Sequence, residues 1–342
     1  MKPILGVALV LAALSAAPTT RAQDAEYSML RWQDLDGWAD DDLAVALEVF
    51  TETCDLIDQD GWDGICNLAK NQPDARSFFE LLFLPVMVED GNAPLFTAYY
   101  EPELNGSRTQ SGAYQYPLYR LPPEAGGEWL TRQEIETTQV LAERGLEICW
   151  LDDPVDAYFL HIQGSGRIRL TDGEVIRLGY AGNNGHPYRS VGQEMVRQEL
   201  LEPHQVSAAV IRNWVRRNPE DGRSILQHNP SFVFFTELDV PAEKGPIGAM
   251  ARSITTLRSL AVDQDYTFLG APIWLEKDGE EPMRRLMVAQ DTGGAIRGAQ
   301  RADIFFGSGQ DAGDAAAHIR DGGRMIMLLP IQQAYALVPE GA

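Results

Sequence analysis

Val288-Ala-Gln-Asp-Thr-Gly-Gly-Ala-Ile-Arg-Gly-Ala-Gln-Arg-Ala-Asp-Ile-Phe-Phe-Gly307 decides how the rest of the chain is read. Two carboxylates, Asp291 and Asp303, stand twelve residues apart, with Gly293, Gly294 and Gly298 between them. The apolar run Ile304-Phe305-Phe306 follows and ends at Gly307. Paired glycines suit tight turns and close approach to a ligand. A carboxyl beside an apolar strand is where loss of water can raise a pKa and make a general acid. The stretch therefore admits two readings: a surface turn with two solvated aspartates, or an acid/base site.

The N-terminus carries an export address. Lys2 is followed by an apolar stretch from Ile4 to Ala17, and Thr20-Arg21-Ala22 fits a cleavage site, so residues 1–22 read as a signal peptide. The stretch is too short to span a membrane, and no other long apolar run follows, so no transmembrane helix is predicted. No cysteine near the cut offers a lipid attachment point. The expected address is exported and periplasmic, soluble or peripherally associated with the outer membrane.

The full chain has 342 residues, 44% of them apolar, and a net charge of −22, which falls to −24 once Lys2 and Arg21 are removed. That field argues against nucleic acid and anionic lipid as partners, and says little about a neutral polysaccharide. Of three cysteines, Cys54 and Cys66 are spaced for a short disulfide in an oxidising compartment. Cys149, between Ile148 and Trp150, reads as a small buried hydrophobe. The five histidines are scattered, and neither a metal-ligand spacing nor a cofactor motif is present in the sequence, so no metal and no cofactor is expected.

Residues 23–90 read as mainly helical. Trp38–Phe50 has helical apolar spacing with Asp40–Asp42 to cap it, and 74–84 is a second helix stopped at Pro85. Residues 94–104 read as a strand crowded with Tyr99, Tyr100 and Glu101, either a sugar-facing cluster or an ordinary strand end. Thr131 and Glu134 form a capping box. Residues 157–180 read as three short antiparallel strands, starting with Ala157–Gln163 and turning at Asp172-Gly173. Gly179–Gly192 reads as a long polar ligand loop. Helices are expected at 192–200, 203–217 and 311–320, and a strand at 229–235. Five strands are expected at 259–263, 271–276, 285–290, 302–306 and 324–329, a pattern suited to a closed barrel.

Asp291-Thr-Gly-Gly-Ala-Ile-Arg-Gly with Ala-Asp-Ile-Phe-Phe-Gly resembles the signature of the lytic transglycosylase A family and its 3D domain, named for three aspartates; the third would be Asp263. Tyr99-Tyr-Glu-Pro, His161-Ile-Gln-Gly-Ser-Gly and Gly179-Tyr-Ala-Gly-Asn-Asn-Gly-His-Pro-Tyr are similar to the family's other motifs, in the same order, over about residues 90–330. The chain departs from the family in Thr292 after Asp291 and in Arg297, where Lys is common.

The resemblance implies a mainly β fold with added helices. A double-psi β-barrel would be built from 91–104 and 237–342, with a substrate-binding β domain inserted at 105–236 and a groove between them. It implies cleavage of the bond between N-acetylmuramic acid and N-acetylglucosamine in peptidoglycan, with a 1,6-anhydro product. Peptidoglycan glycan strands would be the partner, cell-wall synthesis or division proteins could join them, and a monomer is expected.

Asp303 would be the single acid/base. Asp291, expected to be the better hydrogen-bonded and ionised of the two, would assist it or serve the turn, and Asp263 would be structural. Tyr99, Tyr100, Glu101, Gln163, Gly164, Ser165, Gly182, Asn183, Asn184, Tyr188, Gly293 and Gly294 would bind substrate. Two other readings stand beside this one: a non-catalytic wall-loosening barrel of the kind found in expansins, and a conventional hydrolase with Asp291 as base for water.

Overall fold

The computed structural model describes residues 25–71 and 74–338. The signal-peptide reading of 1–22 lies outside them. Two sheets organise the chain. The first begins with β1 (Glu26–Met29), β2 (Phe83–Glu89) and β3 (Leu95–Glu101). The chain then leaves it to build the second sheet from β4 (Glu103–Ser107), β5 (Tyr116–Tyr119), β6 (Glu147–Leu151), β7 (Gly166–Leu170), β8 (Val175–Asn183) and β9 (Val233–Leu238). It returns with β10 (Ser259–Val262), β11 (Pro272–Lys277), β12 (Met283–Thr292), β13 (Arg301–Ser308), β14 (Arg320–Asp321) and β15 (Gly323–Pro330). The first sheet runs β1-β2-β15-β11-β12-β10-β13-β3-β14, and the second β5-β6-β4-β7-β8-β9. The molecule is therefore mainly β, as expected.

Three helices, α1 (Leu43–Thr53), α2 (Trp62–Ala69) and α3 (Ala75–Leu82), cover one face of the first sheet. Asp42 caps α1 and Asp74 caps α3, each accepting from backbone N–H groups of the first turn. Phe50, Phe78, Phe79 and Phe83 from this layer meet Trp62 and Trp274 in one aromatic core. Each such side chain contributes on the order of 1.5–3 kcal/mol through burial. Cys54 and Cys66 are bridged, tying the end of α1 to α2.

Residues 23–90 are not only helical, because β1 and β2 belong to the first sheet. The expected stop at Pro85 falls inside β2. Pro85 accepts from Leu30 N–H on the side where β1 ends. Its own nitrogen faces that same side, so its missing N–H forfeits a bond only where the ladder is already finishing.

The second sheet carries α4 (Arg132–Thr138), α5 (Pro154–Gln163), α6 (Val191–Arg197), α7 (Ala208–Arg217) and α8 (Pro219–Gln227). The Thr131–Glu134 capping box is formed at the start of α4. Residues 157–163, expected as a strand, are the body of α5. Asp153 caps two N–H groups, Pro154 opens the helix and Gly164 closes it at φ 76°. Val155, Tyr158 and Phe159, at helical spacing, pack on the neighbouring helices, while Leu160 enters the core of the second sheet. β7 and β8 do form the hairpin, turning at Gly173 with φ 90°. The expected loop 179–192 starts later, since β8 runs to Asn183. Two short helices close the inventory, α9 (Gln310–Ala316) against β13 and β3, and α10 (Ile331–Leu337).

Candidate active site

Strand pairing in the first sheet places the key residues in one row. Asp291 on β12 pairs with Ala261 on β10, and Ala261 also pairs with Asp303 on β13. Asp303 pairs with Thr97 on β3, and Thr97 with Arg320 on β14. Directly opposed residues share a face, so Asp291 and Asp303 look out of the same side with one alanine between them. Two strand spacings separate their Cα atoms by about 10 Å. Beside them, on the same face, Tyr99, Ala261 and Phe305 join Ile254 and Ile296 in a small apolar cluster, with the Tyr99 and Phe305 rings 5.3 Å apart. Of the Ile304-Phe305-Phe306 run, Phe305 alone supplies an apolar wall on the Asp303 side; Ile304 and Phe306 pack into the core on the other face of the strand.

The two carboxylates are held differently. Asp291 Oδ1 accepts from Ala249 N–H (3.1 Å) and Thr292 N–H (2.9 Å), and its Oδ2 accepts from the Tyr99 hydroxyl (2.8 Å). Both oxygens are committed. Asp303 accepts only from Thr97, whose hydroxyl donates to Oδ1 at 2.6 Å, and Oδ2 has no hydrogen-bond partner among the described residues. Burial raises the Asp303 carboxyl, against the Thr97 hydrogen bond and the nearby Arg301 charge. Burial also raises Asp291, to about 6, and outweighs its three donors; the Asp303 charge adds to the rise. Asp291 is thus the better hydrogen-bonded carboxylate, as expected, but not an ordinary strongly acidic one. Tyr99 is lifted well above the usual phenol range by burial and by Asp291, so it stays a donor.

Asp263 is buried. It accepts from Gly298 N–H at 2.8 Å and lies 3.6 Å from Arg297. With Asp90, which accepts from Ala299 N–H, it pins the loop between Asp291 and Asp303. Gly298 needs to be glycine there, at φ 124°. Gly293 lies against Ile296, and a β-carbon on Gly294 would sit 3.8 Å from that of Tyr188. The glycine turn of the first sheet therefore meets the 184–190 loop of the second.

The remaining sequence candidates divide by burial. Tyr100 N–H donates to Gln163 Oε1 (3.1 Å), its ring packs on Gly313 of α9, and its hydroxyl is 3.4 Å from Arg212 of α7. It joins the two sheets. Glu101 is fully buried and committed to protein groups, not free to accept sugar hydroxyls. Arg177 holds both its oxygens at 2.8 and 3.0 Å, Arg167 Nε donates at 2.8 Å and the Ser308 hydroxyl at 2.6 Å. The bulge at Gly307, with φ 114°, lets Ser308 rather than Gly307 oppose Glu101.

Asn184 is buried too, bracing the backbone of Leu130, Pro230 and Phe232 in the segments that lead into α4 and β9. Ser165 is buried, and Gly164 is the helix cap of α5. Gly182 and Asn183 end β8; Asn183 bonds to the Tyr180 hydroxyl and to Gly185 N–H. Tyr188 is half-buried. Cys149 is buried, and burial pushes its thiol up to about 12, which leaves it unreactive.

Sequence reading missed Thr97 and Arg301. Each lies two residues before a recognised site residue, Tyr99 and Asp303, and so on the same strand face.

Residues 95–236 match the MltA specific insert domain, and 258–329 match the 3D domain. The crystal structure of membrane-bound lytic murein transglycosylase from Agrobacterium tumefaciens is similar to this chain at 30% identity and a TM-score of 0.83, covering 91% of this chain and 99% of that one. This chain belongs to the membrane-bound lytic murein transglycosylase A family.

The Escherichia coli K12 family member, membrane-bound lytic murein transglycosylase A, is 35% identical over 244 residues, 68% of this chain and 65% of that protein. The chain thus spans just under two thirds of that relative's length. The crystal structure of Escherichia coli MltA with bound chitohexaose is similar at 27% identity and a TM-score of 0.70, covering 84% of this chain and 89% of that one. Family membership agrees with the mainly β architecture. Among the described residues no helix is long and apolar enough to cross a membrane.

Proposed function

We propose that this chain is a peptidoglycan lytic transglycosylase that cleaves the bond between N-acetylmuramic acid and N-acetylglucosamine, with Asp303 as its single acid/base. The observation that carries this reading is the contrast at the active face. Asp303 has a raised pKa and an unengaged Oδ2, while every oxygen of Asp291 is already taken. A carboxyl that must give and take a proton needs a free oxygen. A base for water needs one as well, which disfavours Asp291 in the hydrolase reading. The solved relative holding a chito-oligosaccharide supports a glycan as the ligand class.

In the proposed sequence Asp303 Oδ2 gives its proton to the glycosidic oxygen, the bond from that oxygen to muramyl C1 breaks, and the N-acetylglucosamine 4-hydroxyl leaves. The muramyl 6-hydroxyl then attacks C1 and its proton passes to Asp303. The 1,6-anhydro ring closes and no water is consumed. Asp291, ionised above about pH 6, faces the same space and stabilises positive charge developing on the sugar. Tyr99, Gly293, Gly294 and Tyr188 border that space, and Gln163, Gly182 and Asn183 extend the binding surface onto the second sheet. Export to the periplasm belongs to the same reading. The test is mass spectrometry of muropeptides released from purified peptidoglycan by the wild type and by Asp303→Asn. Anhydro-ended products from the wild type alone support it, and products from both overturn the role of Asp303.

A further inference from the structure

Arg301 is a half-buried arginine with no carboxylate in ion-pair contact among the described residues. Its Nη1 donates to the Ala302 and Leu95 carbonyls, and its Nη2 donates to Thr97 Oγ1 at 2.8 Å. Thr97 Oγ1 in turn lies 2.6 Å from Asp303 Oδ1. The chain Arg301, Thr97, Asp303 runs across two paired strands, with Arg301 and Asp303 on one and Thr97 on the other.

An arginine only donates, so Thr97 must accept from it. The single hydroxyl proton of Thr97 is then left to donate to Asp303 Oδ1. Were Oδ1 itself protonated, that hydroxyl proton would lose its acceptor.

Resting on Asp303 as the acid/base, we infer that Arg301 and Thr97 form a one-way hydrogen-bond chain that keeps Asp303 Oδ1 an acceptor and confines the transferable proton to Oδ2. Oδ2 is the oxygen with no protein partner among the described residues, so the proton is presented to the substrate. The same oxygen receives the proton of the 6-hydroxyl, and the acid is reset without a rotation of the carboxyl. Thr97 and Arg301 are positioning residues here, since neither touches the sugar.

The chain also fixes a sign. A donor to Oδ1 favours the carboxylate, and so does the cation behind it. Other charged and titratable groups facing Asp303 are Asp291 and Tyr99, both of which interact with its charge, and Arg320, paired opposite Thr97. These stay in place when Thr97 is changed.

Thr97→Val keeps the shape and β-branching and deletes the donor. Its alkaline limb of muropeptide release should move up by about one pH unit, the value of one hydrogen bond to a charged group. Thr97→Ser should restore the wild-type limb, which a merely structural role would not require. Arg301→Met should also move the limb upward in the wild-type background, and by less in the Thr97→Val background, because the two act in series. An unmoved limb in Thr97→Val, failure of Thr97→Ser to restore it, or full additivity with Arg301→Met would overturn the inference. Thermal melts of each variant confirm that the fold is intact. Asp303→Asn run alongside separates the two levels: turnover by that variant sinks the acid/base reading itself, whereas an inactive Asp303→Asn beside an unmoved Thr97→Val limb sinks only the chain.

Discussion

Glu101 and Asp303 are carboxylates on neighbouring, hydrogen-bonded strands, and the fold treats them in opposite ways. Glu101 ends β3, is wholly out of water, and is clamped by Arg167, Arg177 and Ser308 where the chain passes from the first sheet to the second. Asp303 stands mid-strand beside an apolar wall with a single hydroxyl donor. The first has its charge compensated and becomes a joint. The second has little compensation and its pKa is raised, which suits the acid role proposed for it. Asp291 lies between these cases, hydrogen-bonded at both oxygens but without a paired cation among the described residues, and burial lifts it to about 6. Burial alone does not make a reactive carboxyl; burial without a partner does.

The comparison can be broken in order of effect. Asp303→Asn should lower cleavage by roughly 10²–10⁴-fold, the range for a lost general acid, and leave the melting temperature unchanged or higher. Initial rates of muropeptide release and a thermal melt check both halves. A loss of stability matching that of Glu101 variants would erase the distinction.

Glu101→Ala should cost about 3–5 kcal/mol in a urea melt, because the buried Arg177 and the half-buried Arg167 lose their anion. Arg177→Ala should cost more than Arg167→Ala, since Arg177 is the more buried of the two and engages both oxygens.

Asp291→Asn supplies the intermediate case, and its sign follows from linkage. The folded pKa, about 6, lies above the ordinary 3.8, so the folded state binds the proton more tightly. Stability from this group is greatest below about pH 4 and is lost as pH rises through 6. Above that the carboxylate costs the fold up to about 3 kcal/mol, some two pKa units at 1.36 kcal/mol each. Asp291→Asn should therefore raise stability at pH 7.5 and gain little at pH 4, as measured by denaturant titration at both values. A pH-independent change would place Asp291 with Glu101 rather than beside Asp303.

Much of this was legible in the residues. The five C-terminal strands, the Thr131 capping box, the Asp172-Gly173 hairpin and the Cys54–Cys66 bridge all depend on local chemistry, and all are present. The errors came where local pattern has two readings. Ala157–Gln163 offers enough apolar residues for either period, and the Asp153-Pro154 start with the Gly164 stop decides for a helix. Pro85 looked like a barrier, yet a proline costs little where a neighbouring strand is ending.

Asp291, Asp303 and Tyr99 are legible in the sequence as candidates, and strand register brings them to one face; the sequence reads Glu101 as a sugar contact because its arginine partners are 66 and 76 residues away. Thr97 and Arg301 carry no motif; only strand register brings them to Asp303.

Cleavage of purified peptidoglycan in ¹⁸O-labelled water, read by mass spectrometry of the released muropeptides, tests the central claim most directly. Intramolecular attack by the 6-hydroxyl predicts anhydro-ended products with no ¹⁸O at the muramyl end. Reducing ends carrying ¹⁸O would show that water is the nucleophile, and would contradict the assignment of Asp303 as the sole acid/base of a transglycosylase.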